Sequence, residues 1–329
     1  MLLEHAYPSI QYRTRSEILG QSPSDDIIVE LQAQILQDLL VKEVLSWQQP
    51  DGWLAWDFHG GKSIETGIRI LCEKGVRSDH PALAKALAAL EEHTERLDRG
   101  IGKVGKILDE RGFGGSLMIR AAVFAYAGLE RRPFLQGQIA QALAGFQALL
   151  AVGSIAEITE KYREKRVFRP GVCWPGIYHL RLLAFTQTWR TPENLQMVAG
   201  AIRRLVELSP LPDIGVRHKS QVMAPPSFAM HDFNPDMSQM SDSDWMMWFH
   251  RMECLARLGV IRLVPELQEQ TAVLAGMLDA KGWFARKLSH PYFNQWGAYT
   301  GLMLENNWQS SQRRMNDLTF RSNLILHYG

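Results

Sequence analysis

His231, Asp232, Asp236, Asp242 and Asp244 crowd one stretch of the chain, HDFNPDMSQMSDSDW. Carboxylates this close push one another's pKa values apart, so one can hold a proton while another stays ionised, as an acid–base pair requires. Asp232, Asp242 and Asp244 are therefore candidate catalytic residues. The competing use is structural, because Asp242 or Asp244 can cap the helix that the apolar run from Trp245 predicts. A second candidate pair is Asp57 with His59 in DFHGG, where a glycine turn can hold imidazole against carboxylate. A plain loop hydrogen bond accounts for those two residues equally well. His290-Pro291-Tyr292 and Tyr178-His179 are lesser groupings of the same type.

Arg69, Arg120, Arg181 and Arg251 each stand near the middle of an apolar segment. An unpaired buried cation is costly, so each needs a carboxylate neighbour or a bound phosphate, diphosphate or carboxylate ligand. Glu65, four residues before Arg69, has helical pairing distance, and Glu253 stands beside Arg251. Arg120 and Arg181 have no acid three or four residues away, so they are expected to take a distant carboxylate or to face an anion. Trp53, Trp56, Trp174, Trp245 and Trp283, with Tyr178, complete the candidate binding set. Such aromatic faces suit a carbocation, a sugar ring or a flat apolar ligand, and they suit packing between repeats just as well. The glycine runs RGIGKVGK (99–106) and GFGG (112–115) match no phosphate-binding loop. Cys72, Cys173 and Cys254 lie far apart, with no C-x-x-C and no histidine at metal spacing. That predicts buried reduced thiols, no metal and no cofactor.

The elements that must position these residues are helices in pairs. Apolar segments at 67–75, 116–128, 176–188, 244–259 and 296–307 are hydrophobic almost all round, whereas the segments after them are amphipathic. One of the latter sets Leu195, Val198, Ile202 and Leu205 opposite Glu193, Gln196, Arg203 and Glu207. A helix apolar on every side must be surrounded, and an amphipathic one can face water. Gly75 to Pro81, Gly128 to Pro133 and Gly259 to Pro265 punctuate the pairs, with Gly past one helix end and Pro opening the next. Strict alternation of strand-like length is nearly absent. The expectation is an all-α fold, an α/α toroid of about five hairpins over residues 28–329, after an N-terminal arm at 1–27. Long connections precede each inner helix, which places Asp57, His59, Trp174, Asp232 and Trp283 at one end of the ring.

LLVKEVLSWQQPDGWLAWDF resembles the repeat of the terpenoid cyclase and prenyltransferase type of α/α toroid, in which a helix ends in Gln followed by a Pro-Asp-Gly-aromatic turn. The resemblance implies that Gln48 or Gln49, Gly52 and Trp53 tie one hairpin to the next. MLDAKGWF (277–284) is a fainter copy without the Gln. By the same resemblance Asp242 and Asp244, in SDSDW, stand nearest to the acid motif that protonates an olefin in such cyclases, although the final Asp is missing.

Composition narrows the field. Thirty-six basic residues against 35 acidic ones leave no overall field toward nucleic acid or an acidic membrane, and 46% apolar residues describe a globular chain. The longest uncharged run, 133–156, carries Gln136, Gln138, Gln141 and Gln147, which predicts a packed helix in a cytoplasmic protein. The leading expectation is a protein that binds or transforms an anionic or prenyl-like small molecule. One alternative is a carbohydrate-active (α/α)-barrel hydrolase or lyase. Another is a helical-repeat binder of protein or nucleic acid, contacting it through EKYREKR (160–166) and VRHK (216–219). The neutral balance disfavours nucleic acid unless those two runs share one face.

Overall fold

A computed structural model describes residues 2–223, 229–288 and 303–329. The chain is mostly helical, with two short hairpins as its described strands. Two compact units divide it, Met1–Thr94 with Gln239–Glu253 and Gln270–Gly329, and Glu95–Ser238 with Cys254–Glu269.

The first unit holds α1 (Leu2–His5), α2 (Pro8–Arg13), a π turn (Thr14–Ile18), α3 (Asp26–Ile35), α4 (Leu39–Ser46), α5 (Ile64–Lys74) and α6 (Pro81–Glu92). The segment expected as an arm is thus helical, and α2 packs on α3 and α5 with Ser9 and Ile10 buried. Asp38 caps α4 by accepting from Leu40 N and Val41 N, at 2.7 and 3.1 Å. Nine of the eleven residues of α5 are buried, as its all-round apolarity predicts.

Between α4 and α5 the chain makes the QQPDGW turn. Gln49 N donates to Trp53 O (2.8 Å), Gly52 N to Gln49 O (2.9 Å) and Ala55 N to Trp47 O (3.0 Å). Gln48 Nε2 then reaches Ala82 O in α6 at 2.7 Å. The fainter copy makes the same turn. Asp279 N donates to Trp283 O (2.8 Å), Gly282 N to Asp279 O (2.8 Å) and Ala285 N to Met277 O (3.0 Å). It follows α14 (Pro265–Gly276), and the last helix of this unit is α15 (Ser311–Tyr328).

The second unit holds α7 (Lys103–Glu110), α8 (Ser116–Tyr126), α9 (Pro133–Leu149), α10 (Ile155–Ile158), α11 (Ile177–Ala184) and α12 (Pro192–Leu208). Within it α8 packs on α11, and α9 on α12. Helix α12 buries Val198, Ile202 and Leu205 and exposes Glu193, Gln196, Arg203 and Glu207, the expected faces. The two glycine runs bring α7 and α8 together. A Cβ on Gly115 would lie 1.7 Å from Gly105 O, so only glycine allows that backbone contact. Asp109 closes the start of α8 by accepting from Gly115 N (2.7 Å) and Leu117 N (2.8 Å), while burial raises its carboxyl pKa.

Four strands depart from the expectation of helices and loops alone. β1 (Thr159–Tyr162) pairs antiparallel with β2 (Lys165–Phe168), and β3 (Val216–His218) with β4 (Gln221–Met223). Strands of three or four residues leave too little alternation to read from sequence. Their two-residue turns carry Arg163 (φ 55°) and Lys219 (φ 54°) where Gly or Asn is usual, so the hairpin signal is also missing.

Helix α13 (Asp242–Leu258) spans the division between the units. It starts three residues before Trp245, because Ser241 and Asp244 cap it reciprocally: Asp244 N donates to Ser241 Oγ (3.3 Å) and Ser241 N to Asp244 Oδ2 (2.9 Å). Helices α5, α8 and α11 start at Ile64, Ser116 and Ile177, against apolar segments expected from 67, 116 and 176. The helix expected near Trp296 and the group His290-Pro291-Tyr292 lie outside the described residues. Among the described residues no helix is long and apolar enough to cross a membrane.

Candidate functional site

The side chains nearest to an acid–base arrangement stand at the start of α5. Ser63 caps the helix by accepting from Thr66 N at 3.2 Å, and Ser63 Oγ and Thr66 Oγ1 both donate to Gly60 O, at 2.8 and 2.7 Å. These bonds hold the DFHGG turn against the helix. Asp57 contributes its carbonyl, which accepts from Ile64 N at 3.0 Å. His59 is fixed instead by Glu65, with Nδ1 2.5 Å from Oε2. The Glu65 side chain is 2% exposed and that of His59 26%. A buried carboxylate in the first turn is favoured by the helix dipole, and it selects the imidazole tautomer with its proton on Nδ1. The partner expected for His59 was Asp57. Glu65, six residues on, has no regular spacing to announce it; only the Gly-Gly turn and the Ser63 cap hinted that the loop folds back.

Carboxylates and aromatic rings meet the buried arginines. Arg69 Nε lies 2.9 Å from Glu73 Oε1, one turn after it, where Glu65 one turn before was expected. Glu253, expected beside Arg251, pairs with Arg13 at 3.4 Å and Arg321 at 3.3 Å. Arg120, 6% exposed, lies over the Phe134 ring at 3.9 Å, and Arg181, 1% exposed, over Tyr178 at 4.9 Å. Arg251 is buried. The Phe134 and Tyr178 rings belong to the same unit as the arginines that lie over them.

Most of the tryptophans serve the core. Trp53 is fully buried and meets His93 edge-on at 6.4 Å, and Trp174 stacks near Phe168 at 5.6 Å. Trp245 sits among Trp248, Phe249 and Phe284, with Arg286 over its ring at 4.9 Å. Trp283 is 8% exposed, and Trp56, at 66%, is open to solvent. The acids of the 231–244 stretch make local turn and cap bonds. Asp232 accepts from Asn234 N (3.0 Å), Asp236 from Ser238 N (2.9 Å), and Asp244 is occupied with the cap of α13, while Asp242 is that helix's half-buried first residue. Asp57, His59, Arg69, Asp242, Asp244, Trp245, Arg251 and Trp283 belong to the first unit; Arg120, Trp174, Tyr178, Arg181 and Asp232 belong to the second.

In the second unit the runs EKYREKR and VRHK are brought together. Val167 bridges Gly215 in parallel, with Phe168 N donating to Gly215 O (3.0 Å) and Gly215 N to Arg166 O (2.9 Å), so β2 and β3 are neighbours. A surface pocket of about 460 Å³ opens there, lined by Glu164, Lys165, Arg166, Asp213, Gly215 and Val222 among others. Among the described residues no cluster of His, Cys, Asp and Glu has metal-binding geometry.

No protein-family model, curated protein or solved structure matches the chain. Its chemistry must be argued from its own geometry.

Proposed function

We propose that this is a helical-hairpin repeat protein of the α/α-toroid type that binds or transforms an anionic or prenyl-like small molecule, with His59 and Glu65 as its acid–base pair. The observation that carries the reading is the 2.5 Å contact between a buried carboxylate and a half-buried imidazole at the start of an inner helix. Glu65 accepts the Nδ1 proton, which leaves Nε2 as the basic nitrogen. When Nε2 takes a proton from a substrate, the carboxylate neutralises the imidazolium; the reverse transfer delivers a proton. The turn shared by 47–55 and 277–285 supports the toroid reading, since Gln48 ties one hairpin to the next helix as in the repeats it resembles.

The test is a panel of prenyl diphosphates, inorganic diphosphate and simple carboxylates, offered to wild type, His59→Gln and Glu65→Gln. Turnover by wild type with a loss of about 10²–10⁴-fold in kcat in either variant is expected, the range typical of a lost general acid or base. If wild type neither binds nor converts any member of the panel, or if both variants keep full activity, the reading is overturned.

A further inference from the structure

The two hairpins of the second unit concentrate positive charge that the rest of the chain lacks. Residues 159–169 and 213–223 contain seven Lys or Arg against three Asp or Glu, in a protein with 36 against 35 overall. The remaining chain is therefore net acidic, and this patch stands apart from it. Lys161, Arg163, Lys165, Arg166, Arg217 and Lys219 are all exposed, while Val167, Phe168 and Val216 anchor the strands in the core.

We infer that this pair of hairpins binds nucleic acid through its phosphodiester backbone, with Lys165 and Arg166 at the pocket as the principal contacts. Three observations carry the inference. The basic runs, far apart in sequence, are hydrogen-bonded neighbours through β2 and β3. Part of the face is held in place before any ligand arrives. Arg217 lies 3.9 Å over the Tyr162 ring, Arg163 lies 5.3 Å from the same ring, and Arg111 donates to the carbonyl of Arg217. Preorganised cations lose less freedom on binding than free ones. Third, none of the exposed large apolar residues among the described residues falls in either hairpin. A membrane-inserting surface or the core of a protein interface would ask for such residues, whereas a polyphosphate needs only charge.

Glu160, 3.8 Å from Arg217, Glu164, 3.3 Å from Lys161, and Asp213 in the pocket lining temper the field, so seven cations against three acids present a net charge of about four. Arg217 and Arg163 already lie against the Tyr162 ring, where they compete with a stacking base. Binding is expected to be independent of base sequence.

Fluorescence anisotropy of the full chain with labelled 20-nucleotide single-stranded and 20-base-pair duplex DNA tests this, with inorganic phosphate, a free nucleotide and phosphatidylserine vesicles as separate arms. With about four phosphates neutralised, duplex affinity should fall about 10²-fold between 50 and 200 mM salt. The Lys165→Glu/Arg166→Glu variant should lose at least tenfold in affinity, and the milder Lys165→Gln/Arg166→Gln variant should lose part of it with an unchanged circular dichroism spectrum. Nucleic acid should compete far better than free phosphate or nucleotide. Absence of binding at 50 mM salt, equal binding by both double variants and wild type, or binding confined to the free nucleotide or to vesicles overturns the inference.

Discussion

His179 is a buried polar residue whose protonation state the fold decides. Its Nδ1 accepts from Gly176 N at 3.0 Å, and burial pushes its pKa down to about 4. The folded protein therefore keeps the ring neutral at pH values where the unfolded chain, near 6.5, takes up a proton. Stability from this residue is fully present above pH 6.5 and is lost as the pH falls toward 4. A shift of this size corresponds to about 3 kcal/mol. Urea unfolding between pH 7 and pH 4 should show that drop in wild type, and the drop should shrink by about the same amount in His179→Phe. A variant that keeps the whole pH dependence would show that the neutral imidazole is not its source. Cys173, in the same unit, is likewise quieted: its thiol donates to Gly112 O at 3.2 Å and burial raises its pKa, which keeps it from acting as a ready nucleophile.

At the scale of the element, the twin turns offer a controlled comparison. Gly52 (φ +96°) and Gly282 (φ +79°) hold the same left-handed place in the two turns. A Cβ at Gly282 meets nothing within 4 Å among the described residues, whereas one at Gly52 would stand 2.7 Å from Lys85 O. Gly282→Ala should cost about 1–2 kcal/mol from its backbone conformation alone. Gly52→Ala should cost about 1–3 kcal/mol more, because the backbone of α6 must move. Thermal and urea denaturation of the two variants would show the order, and equal losses would mean that the first turn is not wedged against α6. The contrast follows from position: Gln48 and Lys85, which bonds Pro50 O at 2.8 Å, draw the first turn onto α6.

At the scale of the whole molecule, the first unit is closed by polar bonds between segments about 300 residues apart. Asp317, fully buried in α15, accepts from Leu304 N (2.6 Å), Glu305 N (3.2 Å) and Trp308 Nε1 (3.1 Å) and pairs with Arg321 (3.1 Å). Arg321 reaches Glu253, which also holds Arg13. Glu305 accepts from Tyr7 N at 3.1 Å and from Asn316 at 2.8 Å. Lys74, on α5, joins Asp38 and Leu304 O, both at 3.0 Å. Removing Asp317 takes the acceptor from three buried N–H donors and one of the two carboxylates at Arg321, so Asp317→Ala should lose about 3–5 kcal/mol in equilibrium unfolding. A loss below about 1 kcal/mol would show that the network contributes little.

By itself the sequence determined the helices, their pairing and the repeated turn, because periodicity, Pro and Gly punctuation and caps act within a few residues. Val198, Ile202 and Leu205 face inward in α12 as their spacing required, and MLDAKGWF turns as its better-marked counterpart does. Helix α13 starts three residues before Trp245 because the Ser241 cap acts ahead of the apolar run. Tertiary structure alone decided the partners of the charged groups. Glu65 belongs to His59, Glu73 serves Arg69, and aromatic rings lie under Arg120 and Arg181. It also decided that two basic runs fifty residues apart form neighbouring strands. A cation's partner is chosen by which surfaces packing brings within a few ångströms, and a strand of three residues is held only by the strand beside it. Neither choice is written in local spacing.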